Sequence, residues 1–251
     1  MARQFSKASV MHLYSSGVPV VTARPFTFSI WFNQTSGIVA NGPMMSTYEN
    51  GTGHWYQLTS DSSDKVVAAV YNGGDYQIAT TSTSYTANTW QHAAGVFATA
   101  TSCSVYLNGG NKITDTTNVT GPTPLFALSI GYVPPEIFAS GIYAEGAVWN
   151  VSLTDAEIAI LGLGYSPLFV RPQSLVSYWP VIGRTSPEID LVGGINLTLI
   201  NAPTVANHPR IIYPSNMQSG LTISAAVAGA IMPQFQYANL GASLYNGTLI
   251  G

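Results

Sequence analysis

The stretch 139-ASGIYAEGAVWNVSLTDAEIAIL-161 decides how this chain is read. From Ile142 to Trp149 the pattern has a period of two. Ile142, Ala144, Gly146 and Val148 are expected on one face of a strand, and Tyr143, Glu145, Ala147 and Trp149 on the other. The period then changes. Thr154 and Glu157 have the spacing of a capping box, in which the Thr hydroxyl accepts the Glu157 N–H and the carboxylate accepts the Thr154 N–H. Behind it Ile158, Leu161 and Leu163 form an apolar stripe that Gly162 and Gly164 bring to an end. A strand running into one short capped helix is expected to close a sheet.

Outward from this stretch the period of two recurs. Phe26, Phe28, Ile30 and Phe32 alternate with Thr27, Ser29, Trp31 and Asn33, the clearest half-buried strand in the sequence. Residues 4–14 read as a first strand turned by Ser16-Gly17, and residues 42–53 as a polar loop before a strand at 54–58. Asn72-Gly73-Gly74 separates strands at 65–71 and 76–80, and Asn108-Gly109-Gly110 separates 102–107 from 112–116. In both, glycine supplies the positive φ of a hairpin turn. Residues 175–181 read as a further strand, Ile195, Leu197 and Leu199 as a short one, and 201–209 as a loop. The pattern is all-β, an antiparallel two-sheet sandwich with one short helix and a C-terminal extension.

Five of these segments, in order, resemble one family: 26-FTFSIWF-32, 90-WQHAAGVF-97, 105-VYLNG-109, 128-LSIG-131 and the opening stretch itself. Together they look like a LamG-like domain, of laminin G, pentraxin and concanavalin A type. The resemblance implies a concanavalin A-like jelly roll. It also implies a sugar platform, and a family cation site that commonly takes an acid in the strand before the helix. Ala144 stands at that position with Glu145 beside it, so no calcium site carries over and no cofactor is expected. The run 171-RPQSLVSYWPVIG-183 and the residues after it, up to 213, resemble segments found behind such domains in phage and viral-metagenome proteins. On this reading residues 1–182 form the sandwich, 183–212 return and pack on it, and 213–251 form an arm.

Composition narrows the function. Of 251 residues only 8% are Asp, Glu, Lys or Arg, against roughly 25% in an average soluble domain. A surface of Thr, Ser, Asn, Gln, Gly and Tyr repels its neighbours weakly and suits a homo-oligomer or a subunit packed in an assembly. With 8 basic and 11 acidic residues there is no electrostatic footprint for nucleic acid. The start of the chain shows no apolar core of a secretory signal, and the longest apolar run, residues 221–232, is too short to span a bilayer, so membrane insertion is not expected. Cys103, the sole cysteine, falls in an apolar alternation and reads as a small buried hydrophobe. No acidic residue occurs after Asp190 and no basic one after Arg210. Leu221, Ile223, Ala226, Ile231, Phe235, Tyr237, Leu240, Leu244 and Tyr245 are therefore the candidate oligomerisation or anchoring residues. The arm packs on another subunit or folds back on its own sandwich.

No pair of carboxylates has the strand spacing of a retaining glycosidase, and His12, His54, His92 and His208 are scattered, so catalysis is not expected. His92 reads as a satisfied strand residue. Glycan binding needs only an aromatic face and a few polar groups. Tyr48, His54, Trp55, Asp75 and Tyr76 are the candidate patch, the competing reading being Trp55 as core and the others as ordinary loop residues. The leading expectation is a non-enzymatic virion surface protein, a capsid decoration or fibre-like subunit made without a signal peptide and contacting other virion proteins. The alternative is a lectin-like protein that recognises cell-surface glycans.

Overall fold

The computed structural model describes residues 1–36 and 42–214. In chain order its strands are β1 (Ala2–Phe5), β2 (His12–Tyr14), β3 (Phe26–Asn33), β4 (Gly42–Tyr48), β5 (Trp55–Ser60), β6 (Val66–Asn72), β7 (Asp75–Thr80), β8 (Gln91–Thr99), β9 (Ser102–Leu107), β10 (Gly110–Asp115), β11 (Ala127–Ile130), β12 (Tyr132–Val133), β13 (Ile137–Phe138), β14 (Gly141–Trp149), β15 (Leu175–Trp179), β16 (Thr198–Ile200) and β17 (Thr204–Ala206). Among the described residues one α-helix, α1 (Asp155–Gly162), lies between β14 and β15. The first sheet runs β10-β9-β8-β3-β14-β1-β17, with β15 also paired to β14, and the second runs β16-β2-β11-β4-β5-β6-β7. A separate ribbon joins β12 to β13. This is the all-β jelly-roll sandwich expected from the sequence.

The core between the sheets follows from the alternation in β3. Phe26, Phe28, Ile30 and Phe32 are fully buried, each stabilising the fold by about 1.5–3 kcal/mol. Phe26 meets Phe97 at 4.8 Å and Tyr56 edge-on at 5.0 Å between ring centres. Cys103 lies in the same core with its thiol pushed up to about 12 by burial. His92 is fully buried as well; burial pushes its imidazole down to about 3, and Nε2 lies 2.8 Å from the Ser29 hydroxyl.

Strict alternation fails in β14. Ala144 pairs with Trp31 and Ala147 with Ser29, so two residues of β14, Glu145 and Gly146, stand against one of β3, Ile30. Glu145, at φ +58°, occupies this bulge. The extra residue resets the phase. Tyr143 and Val148, assigned by the period of two to opposite faces, both enter the main core, while Trp149 goes to a second cluster beneath α1. The bulge is also where the far edge of β14 changes neighbour, from β1 at residues 141–143 to β15 at 146–149.

The capping box forms: the Thr154 N–H donates to Glu157 Oε2 at 2.7 Å and the Glu157 N–H to the Thr154 hydroxyl at 3.4 Å. Ile158 and Leu161 are buried, but Leu163 falls past the last turn and is 73% exposed, so it leaves the expected stripe. The helix end rests backbone to backbone on the β9–β10 turn. A Cβ on Gly162 would lie 2.4 Å from the Gly109 nitrogen.

Three further expectations change. Residues 4–14 give two strands in different sheets, because a 3-10 turn at Lys7–Ser9 and a left-handed Val10 carry the chain from one layer to the other. The polar loop at 42–53 contains β4, whose seven residues are all buried. The strand beside β1 on its outer edge is β17, from the expected loop at 201–209, whereas β15 pairs with β14. The candidate anchoring residues Leu221, Ile223, Ala226, Ile231, Phe235, Tyr237, Leu240, Leu244 and Tyr245 lie outside the described residues. Among the described residues no helix is long and apolar enough to cross a membrane.

Candidate functional site

The outward face of the second sheet carries a groove of about 420 Å³. Its floor is set by register. Trp55 pairs with Tyr71 and Tyr71 with Tyr76; Gln57 with Ala69 and Ala69 with Ile78; Thr59 with Val67 and Val67 with Thr80. Three rungs thus cross β5, β6 and β7 on one face, since side chains two apart on a strand point the same way. Asp61 lies at one end, and Pro134, Pro135 and Ile137 of the β12–β13 ribbon form a wall.

The first rung is aromatic. Tyr71 and Tyr76 stack at 4.6 Å with 26° between ring planes, and Trp55 lies 5.7 Å from Tyr71. The His54 ring meets Tyr71 edge-on at 5.7 Å, its Nδ1 held 2.9 Å from the Glu49 carboxylate. Tyr76 is 50% exposed and Ile78 48%, so apolar surface faces solvent here instead of being packed away. The second rung holds Gln57, 1% exposed, whose side-chain Nε2 has no hydrogen-bond acceptor among the described residues. A buried amide donor left unpaired costs about 1–3 kcal/mol.

Of the five residues proposed from sequence, Trp55 and Tyr76 line the groove and His54 stands beside its aromatic end. Tyr48 does not take part: β4 passes under the β12–β13 ribbon, Tyr48 is 6% exposed, and its hydroxyl lies 3.1 Å from that of Ser129. Asp75 sits at the β6–β7 turn, beyond the groove lining. Tyr71, Gln57 and Thr59 escape the sequence reading although their signals are present. The Asn72-Gly73-Gly74 turn fixes Tyr71 opposite Tyr76, and a period of two from Trp55 leads to Gln57 and Thr59.

Glu145, the acid beside the family's usual cation position, is engaged otherwise. Its buried carboxylate accepts hydrogen bonds from the Tyr178 hydroxyl at 2.6 Å and the Tyr213 hydroxyl at 2.7 Å, and His208 Nε2 lies 3.2 Å away. Among the described residues no three His, Cys, Asp or Glu side chains converge as a cation site. A hollow of about 720 Å³ beside this cluster is lined by Met1, Gln4, Asn33, Trp90 and His208 among others. Among the described residues it has one aromatic ring besides the histidine and no unpaired buried donor.

His208 makes the cluster pH-sensitive. Burial opposes its charge, but Glu145 and the carbonyl oxygens of Pro209 and Pro180 outweigh that and raise its pKa. A base raised in the folded state stabilises fully below its unfolded value, about 6.5, and loses that contribution as pH rises through the folded value. The Tyr178 and Tyr213 hydroxyls are raised further and remain protonated donors, while the Met1 amino group nearby is lowered, by burial and then Arg184. Subtracting the urea-unfolding profile of His208→Gln isolates the histidine. The wild-type advantage is expected to shrink as pH rises above about 6.5, by up to about 1.4 kcal/mol per pKa unit.

Two stacked sheets sealed by one capped helix, with an aromatic groove on an outer face, define a lectin-like jelly-roll domain. The chain belongs to the concanavalin A-like lectin/glucanases superfamily, whose Laminin_G_3 family model matches residues 9–159. Solved structures share the fold. A Bacteroides ovatus protein provisionally described as carbohydrate-binding is 21% identical, with 84% of this chain and 61% of that one covered at a TM-score of 0.60. The heptameric SAP-like pentraxin of Limulus polyphemus is 15% identical, with 64% and 79% covered and a TM-score of 0.51. Mouse laminin α1 domains LG4-5 are 11% identical, with 62% and 43% covered and a TM-score of 0.50. This chain therefore spans less than two thirds of the Bacteroides protein and of the laminin fragment. No curated protein sequence matches it significantly.

Proposed function

We propose that the protein is a non-catalytic carbohydrate-binding module whose ligand occupies the groove on β5, β6 and β7. The observation that carries this is the unpaired Gln57 amide in a floor that begins with three aromatic rings. Sugar rings present C–H faces to aromatic rings and hydroxyl acceptors to buried donors, and the groove offers both. A peptide strand added to the sheet edge fits less well. β7 is that edge, and the Ile78 N–H already donates to Asp115 Oδ2 at 2.6 Å. Binding is favoured over hydrolysis because Asp61 is the single acid in the groove among the described residues, where a retaining glycosidase needs two carboxylates about 5–5.5 Å apart. The description of the Bacteroides ovatus protein accords with this reading.

The test is a glycan array followed by calorimetry on the best hit. The wild type is expected to bind, and Tyr71→Ala to lose binding by about thirtyfold or more, as for a central aromatic contact worth about 2 kcal/mol. An unaffected Tyr71→Ala, or silence across the array, refutes the reading.

A second reading is favoured by the 8% charged content. In it the domain is displayed on a virion surface as a homo-oligomeric decoration or fibre-like subunit contacting other virion proteins. The two readings are compatible, since a receptor-binding subunit needs both an assembly contact and a solvated groove. Light scattering after size exclusion tests the assembly: a monomer at high concentration counts against it.

A further inference from the structure

We infer, resting on the carbohydrate-binding reading above, that the groove selects an uncharged and extended oligosaccharide lying along the strands, from the Trp55 rung toward Asp61. Three features of the floor carry this. The first is length. Successive rungs are two residues apart, so three of them span on the order of 13 Å, enough for a short oligosaccharide and more than a single ring needs.

The second is the gradient of chemistry along that length. The first rung is entirely aromatic, the second pairs the Gln57 amide with apolar Ala69 and Ile78, and the third sets Thr59 and Thr80 on either side of Val67. A chain laid along a single rung would cross the strands sideways and contact one kind of chemistry only. Laid along them, it stacks at one end and offers its hydroxyls to Gln57, Thr59 and Thr80 beyond. The proline pair in the wall runs beside this path on one flank.

The third is charge. Among the described residues the groove is lined by no Lys, Arg or His, and its one carboxylate belongs to Asp61. That carboxylate is fixed in place: Oδ1 accepts the N–H groups of Ser63 and Lys65, both at 2.9 Å. A sulfate, sialate or uronate entering the far end would be desolvated beside a like charge with no cation to offset it, and such juxtaposition discriminates strongly between otherwise similar ligands. Neutral hexose and pentose chains carry no such penalty.

The experiment is calorimetric titration of the whole chain with length series of neutral cello-, manno-, laminari- and xylo-oligosaccharides and, for the hexose chains, of their C6-oxidised uronate counterparts. Affinity for at least one neutral series is expected to rise from mono- to trisaccharide and then level off. The matching anionic series is expected to bind about tenfold more weakly or worse. Asp61→Asn keeps the carbonyl oxygen that holds the turn, so it should fold, and it is expected to narrow the neutral-to-anionic gap. Equal affinity for anionic chains, or a monosaccharide bound as tightly as a trisaccharide, overturns the inference while leaving groove binding intact. Binding that survives Tyr71→Ala, or no binding to either series, removes the underlying reading as well.

Discussion

Asp190→Ala is expected to destabilise the fold by roughly 4–5 kcal/mol, which equilibrium urea unfolding will read as a lower midpoint with an unchanged slope. The residue is 3% exposed and acts as an acceptor hub. Its Oδ1 takes the N–H groups of Tyr178 at 2.9 Å, Val192 at 3.0 Å and Gly193 at 3.1 Å, and Oδ2 takes that of Ile195 at 3.0 Å. Truncation leaves four backbone donors without partners, one on β15 and three in a loop where a Cβ on Gly193 would already lie 2.2 Å from the Val176 oxygen. Asp190→Asn keeps one carbonyl oxygen for the three donors at Oδ1 and should cost about 1–2 kcal/mol. A loss below about 1 kcal/mol for the alanine variant would show that the loop holds without its hub.

Arg3→Met is expected to cost about 3–5 kcal/mol, and the double change Arg3→Met with Glu188→Leu to recover most of that loss. Arg3 is 7% exposed and Glu188 1%. The guanidinium donates to Glu188 Oε1 at 2.7 Å, to the Pro203 oxygen at 2.9 Å and to the Thr185 oxygen at 2.7 Å, tying β1 to the segment after β15. Burial raises the Glu188 carboxyl in spite of Arg3, so desolvation outweighs the pairing even when the pair is intact. Removing the arginine raises that carboxyl further. A carboxyl raised in the folded state stabilises below its unfolded value, about 4.3, and the contribution disappears as pH climbs through the folded value. The deficit of Arg3→Met should therefore be smaller at pH 4 than at pH 7. A deficit independent of pH would mean that lost packing, not stranded charge, is responsible.

What the sequence disclosed depended on how local the deciding interaction is. The hairpins at Asn72-Gly73-Gly74 and Asn108-Gly109-Gly110 and the Thr154–Glu157 box are settled within a few residues, and all three form. β4 was hidden because its polar residues are satisfied at long range. Ser46 donates to the Tyr132 oxygen and Thr47 to the Ala127 oxygen, so a strand buried on both faces reads as a loop. The Val10 reversal was hidden for a related reason, since a β-branched residue at φ +48° is the reverse of its usual preference. At the groove, Trp55 and Tyr76 were legible as aromatics near turns. Gln57 becomes legible only with the wall in view, because the sequence does not reveal that a ribbon about 75 residues later along the chain lines the same groove.

The bulge at Glu145 bears on how this chain is to be compared with its relatives. One residue inserted in mid-strand displaces every later position of β14 by one place, so an ungapped alignment with a relative that lacks the bulge will match Val148 and Trp149 to residues on the wrong side of the sheet. For a relative without the bulge the gap belongs inside the strand, at residue 145, and not in the loop before α1 where insertions are customarily put. Homologues aligned in that way should keep a large side chain in the Trp149 column whether or not they possess the extra residue.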